Sequence, residues 1–248
     1  MTVVLKLGGS VVTEKDTPET VDEDALAAAA DAVAAGDDDV VVVHGGGSFG
    51  HHHAAEYGVS TTEGTHDVAG VQAIHGAMTR LNDAVVAALT ERGVPAVPVH
   101  PFSAAHRDAD GALTLPTGQV RTLLAEGFVP VLHGDLVAHA GEGVTVLSGD
   151  ELVVELAPAI DADRVGVCST VPGVLDEEGE VIDRIDAFED VAAALGGSDT
   201  TDVSGGMAAK VRALLELESP ASVFGPDALS AFLDGDAPGT TIGSQQRV

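Results

Sequence analysis

Only three lysines occur in this 248-residue chain, and each stands among glycines or hydroxyls: Lys6 in Lys6-Leu7-Gly8-Gly9-Ser10, Lys15 just after Thr13, and Lys210 in Ser204-Gly205-Gly206-Met207-Ala208-Ala209-Lys210. With 40 acidic residues against 11 basic ones and a formal charge of −29, the sequence has nearly dispensed with lysine elsewhere. An ammonium kept under that bias has a task other than solubility, and the simplest task is holding a polyphosphate.

The glycines support the same chemistry. Three glycine-rich segments fall where a strand is expected to end and a helix to begin: Lys6-Leu7-Gly8-Gly9-Ser10, His44-Gly45-Gly46-Gly47-Ser48-Phe49-Gly50-His51, and Asp202-Val203-Ser204-Gly205-Gly206-Met207. Glycine there lets backbone N–H groups approach a ligand, and a helix N-terminus favours an anion. The second segment also matches G-x-G-x-x-G through Gly45, Gly47 and Gly50. A dinucleotide fingerprint would need a strand ending in an acidic residue about 20 residues on, whereas residues 65–92 read as mostly one long helix. No G-x-x-x-x-G-K-[ST] loop is present.

Short β-branched runs alternating with helical patterns must position these segments. Strands are expected at Val3–Leu7, Val40–Val43, Ala96–Val99, Val129–Leu132, Arg164–Cys168, Ala221–Phe224 and Thr240–Ile242. Helices are expected at Asp24–Ala35, along the stripe Val71, Ile74, Met78, Leu81, Val85 and Leu89, and at Thr117–Glu126, Asp150–Ala157, Asp186–Leu195 and Met207–Leu217. The glycine-punctuated runs Leu136–Ala138 and Val144–Leu147 read as hairpins attached to the sheet. Strands separated by helices imply βαβ units and a mainly parallel sheet between helical layers, an α/β/α sandwich. The expected organisation is one domain over residues 1–248, with an N-terminal lobe to about 160 for the phosphate acceptor and a C-terminal lobe from about 161 for the nucleotide.

Composition narrows the partners. A chain of this charge without a basic stripe repels nucleic-acid backbones. The N-terminus runs straight into a strand, so no signal peptide is expected, and no apolar run approaches the roughly 20 residues that span a bilayer; a cytoplasmic protein with no membrane partner follows. Acidity spread along the whole chain reads as a solvating surface that salt must screen, which suggests a high-salt cytoplasm. The lone Cys168 falls in the apolar run Val165-Gly166-Val167-Cys168 and is expected to be a structural thiol.

The lysine and glycine segments, in order with Ser148-Gly149-Asp150, resemble the amino acid kinase superfamily over essentially the whole chain. Within it, the string from His44 to His51, followed by Ala54 and Tyr57-Gly58, and Lys15 after Val11-Val12-Thr13, are similar to the isopentenyl phosphate kinases. That resemblance implies an α/β/α fold, ATP as phosphoryl donor with Mg²⁺, an isoprenoid monophosphate as acceptor in an archaeal-type mevalonate route of isoprenoid biosynthesis, and a homodimer.

Residue by residue, the resemblance implies that Lys15 stabilises the transferring group, Lys6 bridges donor and acceptor, and Lys210 meets the ATP phosphates. Gly46 and His51 would hold the acceptor phosphate, with Gly149 beside it. Gly8, Gly9, Ser10, Gly47 and Gly206 would approach ATP. Asp150, set between ammonium groups, would orient lysines rather than act as a base. The segment Ser169-Thr170-Val171-Pro172-Gly173 departs from the family pattern, since Thr170 and Pro172 replace the usual carboxylates; Ser169, Thr170 and Gly173 remain the expected nucleotide contacts. Other members of the superfamily, acting on acetylglutamate, aspartate, uridylate, carbamate or a phosphonate, are the nearest alternatives, and a non-catalytic nucleotide-binding regulator is a further one.

The remaining histidines suggest little. Three in a row at His51, His52 and His53 turn about 100° apart on a helix and cannot face one ion, so no metal site is expected. His44 is expected to be structural. His66, His75, His100, His106, His133 and His139 are scattered along the sequence without a pattern. The Met78 helix is the expected wall for a prenyl tail.

Overall fold

The computed structural model describes residues 1–195 and 206–243. The chain opens on β1 (Thr2–Leu7), the four-residue helix α1 (Gly9–Val12), α2 (Glu23–Ala35), β2 (Asp39–His44), α3 (Gly47–Glu56) and the long α4 (Val68–Thr90). Then come β3 (Ala96–Pro98), the short strands β4 (His106–Arg107) and β5 (Leu113–Thr114), α5 (Gly118–Ala125), β6 (Val129–His133) and the pair β7 (Asp135–His139) and β8 (Gly143–Leu147). The remainder is α6 (Gly149–Ala159), β9 (Arg164–Cys168), β10 (Arg184–Ile185), α7 (Ala192–Leu195), α8 (Gly206–Leu215), β11 (Ala221–Phe224), α9 (Leu229–Leu233) and β12 (Thr240–Ile242).

One eight-stranded sheet, in the order β10-β12-β11-β9-β1-β2-β6-β3, runs through the molecule. Six of its pairings are parallel, and β11–β12 alone is antiparallel. Two-residue alternation along each strand sorts side chains to opposite faces. Val3, Leu5 and Leu7 of β1 join Val40 and Val42 of β2 under α2, α4 and α9. Val4, Val41 and Val43 face the other way, into the core built with α5, α6 and α8. The same alternation sends Lys6 to the α6 side and His44 to the α4 side, and this decides what each can reach. Gly166 on β9 makes room for Phe232, whose ring a Cβ there would strike.

Helix starts follow their caps. Asp22 accepts from the Ala25 N–H at 3.0 Å, with Glu23 and Asp24 in the first turn against the helix dipole. Ser148 and Glu151 form a reciprocal capping box at the start of α6. This box fixes the direction in which the neighbouring Asp150 enters the site.

Two expectations are corrected. The hairpin region forms a separate four-stranded sheet, β5-β4-β7-β8, rather than an extension of the main one. The helix expected at Asp186–Leu195 is a 3₁₀ turn at Phe188–Asp190 followed by α7. Ala187 is extended, and Phe188 turns beneath the Arg212 guanidinium, 3.7 Å from its ring centroid, so the chain cannot wind continuously through this stretch. The segment Asp202-Val203-Ser204-Gly205 lies outside the described residues; Gly206 and Met207 open α8.

Candidate active site

The carboxyl ends of β1, β2, β6 and β9 converge on one cavity, the usual place for a ligand in an open parallel sheet. Lys6 lies near the end of β1, buried at 6% exposure. Its Nζ donates to Asp150 Oδ1 at 2.7 Å. Lys210, projecting from α8, donates to the same oxygen at 3.0 Å and to Oδ2 at 3.0 Å. Two ammonium groups from distant parts of the chain thus share one carboxylate.

This arrangement sets the charge states. Burial opposes ionisation of Asp150, but the Lys6 and Lys210 charges and hydrogen bonds hold its carboxyl well below the ordinary range. A proton-accepting role is therefore closed to it. Burial lowers Lys6 to about 8, with the Asp150 charge resisting and the like charge of Lys210 adding to the fall.

Glycines bring the loops together. A Cβ at Gly9 would fall inside the backbone of Gly47, and one at Gly45 would meet Gly9 N at 2.6 Å, so the β1 and β2 loops pack backbone to backbone. Gly47 has φ +47°, where a side chain is strained, and Thr13 closes the contact: its hydroxyl accepts from Ser48 N–H at 3.1 Å and donates to Gly9 O at 2.9 Å. Helices α3 and α6 direct their N-termini toward this junction, leaving backbone N–H groups for anions.

The expected site residues divide clearly. Lys6, Gly8, Gly9, Ser10, Gly46, His51, Gly149, Asp150, Ser169, Thr170, Gly206 and Lys210 all line the cavity. His51 is exposed to it, with no side-chain partner among the described residues. Gly47, Gly173 and Lys15 are outside the lining. Gly47 is used in packing on Gly9 and Thr13. Gly173 packs against Val181 and Thr240, which a Cβ there would strike. Lys15 is exposed on the turn between Thr13 and Val21, which pair as an antiparallel bridge. Glu19, at φ +50° on that turn, anchors it by accepting from His53 Nε2 at 2.7 Å and Arg80 Nη2 at 2.5 Å.

An apolar wall completes the cavity. Ile74 and Met78 of α4, Ala54 of α3 and Val146 and Leu147 of β8 all line it. The Met78 helix, expected as the wall for a prenyl tail, contributes Ile74 and Met78 to the lining, whereas Val146 and Leu147 carry no sequence signal beyond a short apolar run. Elsewhere, His52, His53 and Glu56 on α3 place one ligand atom each within 4.8 Å of one another. Cys168 is buried, and that burial pushes its thiol up to about 12, in keeping with a structural role.

The histidines that looked scattered form a chain in space. His44 pairs through Nε2 with the Asn82 side-chain amide at 3.1 Å and stacks on His133 at 5.5 Å. His133 Nε2 lies 2.9 Å from His100 Nδ1. His75 Nδ1 meets Asp135 Oδ2 at 2.8 Å. Nothing in sequence spacing signals this, because β2, α4, β6 and β7 bring together residues as far apart in the chain as His44 and His133.

Among the described residues no helix is long and apolar enough to cross a membrane. The model of the amino acid kinase family matches residues 1–219. An isopentenyl phosphate kinase of Haloferax volcanii is 69% identical over 242 residues, covering 97% of this chain and 98% of its own. One from Methanothermobacter thermautotrophicus is 32% identical, covering 87% and 86%. A crystal structure of isopentenyl phosphate kinase superposes with a TM-score of 0.84 at 28% identity over 98% of this chain and all of that one.

Proposed function

The chain belongs to the amino acid kinase family, and we propose that within it the protein is an isopentenyl phosphate kinase, transferring the γ-phosphoryl group of ATP to the phosphate of isopentenyl phosphate. The observation that carries this reading is the pairing, in one cavity, of a lysine–carboxylate–lysine array with an apolar wall. Phosphate and hydrocarbon each find a matching surface a short distance apart.

The transfer is an in-line displacement. An oxygen of the acceptor phosphate forms the new bond to the γ-phosphorus, the bond to the bridging oxygen of ATP breaks, and ADP leaves with that electron pair. A phosphate monoester is already ionised near neutral pH, so no strong base is required. The obstacle is repulsion between two anions. Lys6 and Lys210 are held at the meeting point by Asp150, already oriented for the charge that must be offset. Gly46, Gly149 and His51 receive the acceptor phosphate. Gly8, Gly9, Ser10 and Gly206 meet the ATP phosphates, and Ser169 and Thr170 flank the nucleotide side. Lys15 reaches the transferring group from its turn once both substrates are in place.

Both Asp150 oxygens are committed to lysine, so this carboxylate is not a free metal ligand. Mg²⁺ fits as an ion carried on the ATP phosphates, the common arrangement for a hard cation at a phosphoryl-transfer site. In the same reading the enzyme is a cytoplasmic dimer serving isoprenoid biosynthesis in an archaeal-type mevalonate route, with a surface suited to high salt.

Acceptors bearing a carboxylate would need a further cation. Among the described residues lining the cavity, the positively chargeable side chains are Lys6, Lys210 and His51, with no arginine. A coupled ADP-release assay in high KCl with Mg-ATP tests the reading, comparing isopentenyl phosphate with acetylglutamate, uridylate and carbamate. Turnover with the first is expected; turnover with one of the others and not the first would refute it.

A further inference from the structure

Of the acidic residues among those described, Asp135 alone is buried, at 3% exposure, and it lines the cavity. A buried carboxylate is costly unless paired and hydrogen-bonded. We propose that Asp135 and His75 form a positioning pair for acceptor binding: the pair clamps the helix that carries the apolar wall onto the turn at Gly134 and Asp135, which hydrogen-bonds the end of β2 just before its glycine loop. This rests on the phosphoryl-acceptor reading above and adds two residues that do not touch the acceptor through their side chains.

The clamp is visible from both ends. On α4, His75 lies between Ile74 and Met78 in sequence, and both of these line the cavity. Met78 in turn presses on the phosphate loop, since a Cβ at Gly50 would meet its Sδ at 2.8 Å and one at Gly46 would meet it at 3.4 Å. On the other end, Asp135 follows Gly134, whose N–H donates to His44 O at 2.9 Å and where a Cβ would meet Gly149 N at 3.3 Å. The Asp135 side chain has no solvent exposure. Its Oδ1 accepts from Leu136 N–H at 2.8 Å, and its Oδ2 takes His75 Nδ1 at 2.8 Å. Shifting α4 by an ångström would move the wall and the glycine loop together.

Each partner shifts the other's titration. Burial pushes the Asp135 carboxyl up, and the hydrogen bond and charge of His75 pull it back. His75 is raised above the ordinary 6.5, chiefly by its hydrogen bond to Asp135. The other groups facing Asp135 do not replace it. His133 Nδ1 stands 3.7 Å from Oδ2 but pairs with Gly134 O at 3.0 Å, and burial holds its ring well below 6.5. His100 is turned onto His133, and His44 is held near 4 by burial. His75 is therefore the group whose proton charges the clamp. A histidine raised by its partner contributes fully below 6.5, and its contribution is lost as pH rises through the raised value.

The test compares the parent enzyme with His75→Gln, Asp135→Asn and the double variant, reading the KM for isopentenyl phosphate and for ATP at pH 6 and pH 9. His75→Gln, which keeps an amide donor but no charge, is expected to raise the acceptor KM about tenfold at pH 6. The ratio to the parent should shrink toward one at pH 9, with the KM for ATP unmoved. Asp135→Asn should behave alike, and the double variant should add no further loss. Thermal melts identify any variant that fails to fold, and the milder His75→Gln at a partly exposed site then decides alone. A ratio that is the same at both pH values, or an equal change in the KM for ATP, would overturn the pair's role. A parent that consumes only a different acceptor refutes the proposed reaction, while the pH dependence of the ratio on that acceptor still decides the pair.

Discussion

Lys6 and Lys210, 204 residues apart in the sequence, place their ammonium groups on the same oxygen of Asp150, at 2.7 and 3.0 Å. One comes from the second strand position before a glycine loop and the other from the second turn of a helix that starts at Gly206. Neutralising that carboxylate removes the group that keeps two like charges together. Asp150→Asn is expected to lower kcat by about 10²–10³-fold, the scale of losing one preorganised electrostatic element. The fold should persist, since the asparagine still accepts from one lysine. Steady-state kinetics alongside a thermal melt check this.

Lys6 supplies a pH signature. With its value lowered to about 8, the free enzyme loses this charge as pH rises past that point, and kcat/KM for the acceptor should fall there. Stability should move the other way. The folded state releases the Lys6 proton near 8 while the unfolded chain keeps it to 10.5, so this group makes the fold more stable across that interval. A pH series of kcat/KM and melting temperature separates the two trends. Asp150 acts at the opposite end: its depressed value stabilises the fold above 3.8, and that contribution drains away as pH falls below it.

His51 and Lys15 should fail differently. His51→Ala removes an exposed cavity side chain and should raise the acceptor KM, lower kcat and leave the melting temperature unchanged. Lys15→Ala should lower kcat with little effect on either KM. Glu19→Ala releases the turn on which Lys15 stands, so it should reproduce part of the Lys15 loss. Near-parent rates in all three would remove these assignments.

Gly9→Ala tests the packing of the two phosphate loops. Its Cβ would overlap the Gly47 backbone, which has no flexible end to move aside. A loss of about 1–3 kcal/mol by denaturant titration is expected, the usual range for an overpacked core, with near-complete loss of activity.

Arg107 ties the small sheet to the site. It is 7% exposed and donates to Glu151 Oε1 at 2.6 Å, next to Asp150. Arg107→Ala should cost about 3 kcal/mol, the lower end for breaking a buried pair, because Glu151 is partly solvated. Chemical denaturation measures it.

Much of this was legible in the sequence. Strand runs such as Arg164–Cys168 and Ala221–Phe224 have matching bounds in the structure, because β-branched residues buried on both faces leave a continuous apolar run. Lys6 and Lys210, two of only three lysines, stand together in the cavity, whereas Lys15 lies on an exposed turn outside its lining. Gly47 and Gly173 show what sequence leaves open: both pack closely on neighbouring segments, and a glycine needed for close approach looks the same whether the neighbour is a ligand or another loop. The His75–Asp135 pair and the Arg107–Glu151 clasp were invisible, because they depend on how α4 and the small sheet dock, which no local spacing records.

The most direct test of the central claim is ³¹P NMR of isopentenyl phosphate mixed with Mg-ATP and the protein in high KCl. The expected result is that the monophosphate resonance gives way to the two coupled resonances of a diphosphate, with one diphosphate formed per ADP. An unchanged monophosphate signal, or ADP released only with inorganic phosphate, would contradict it.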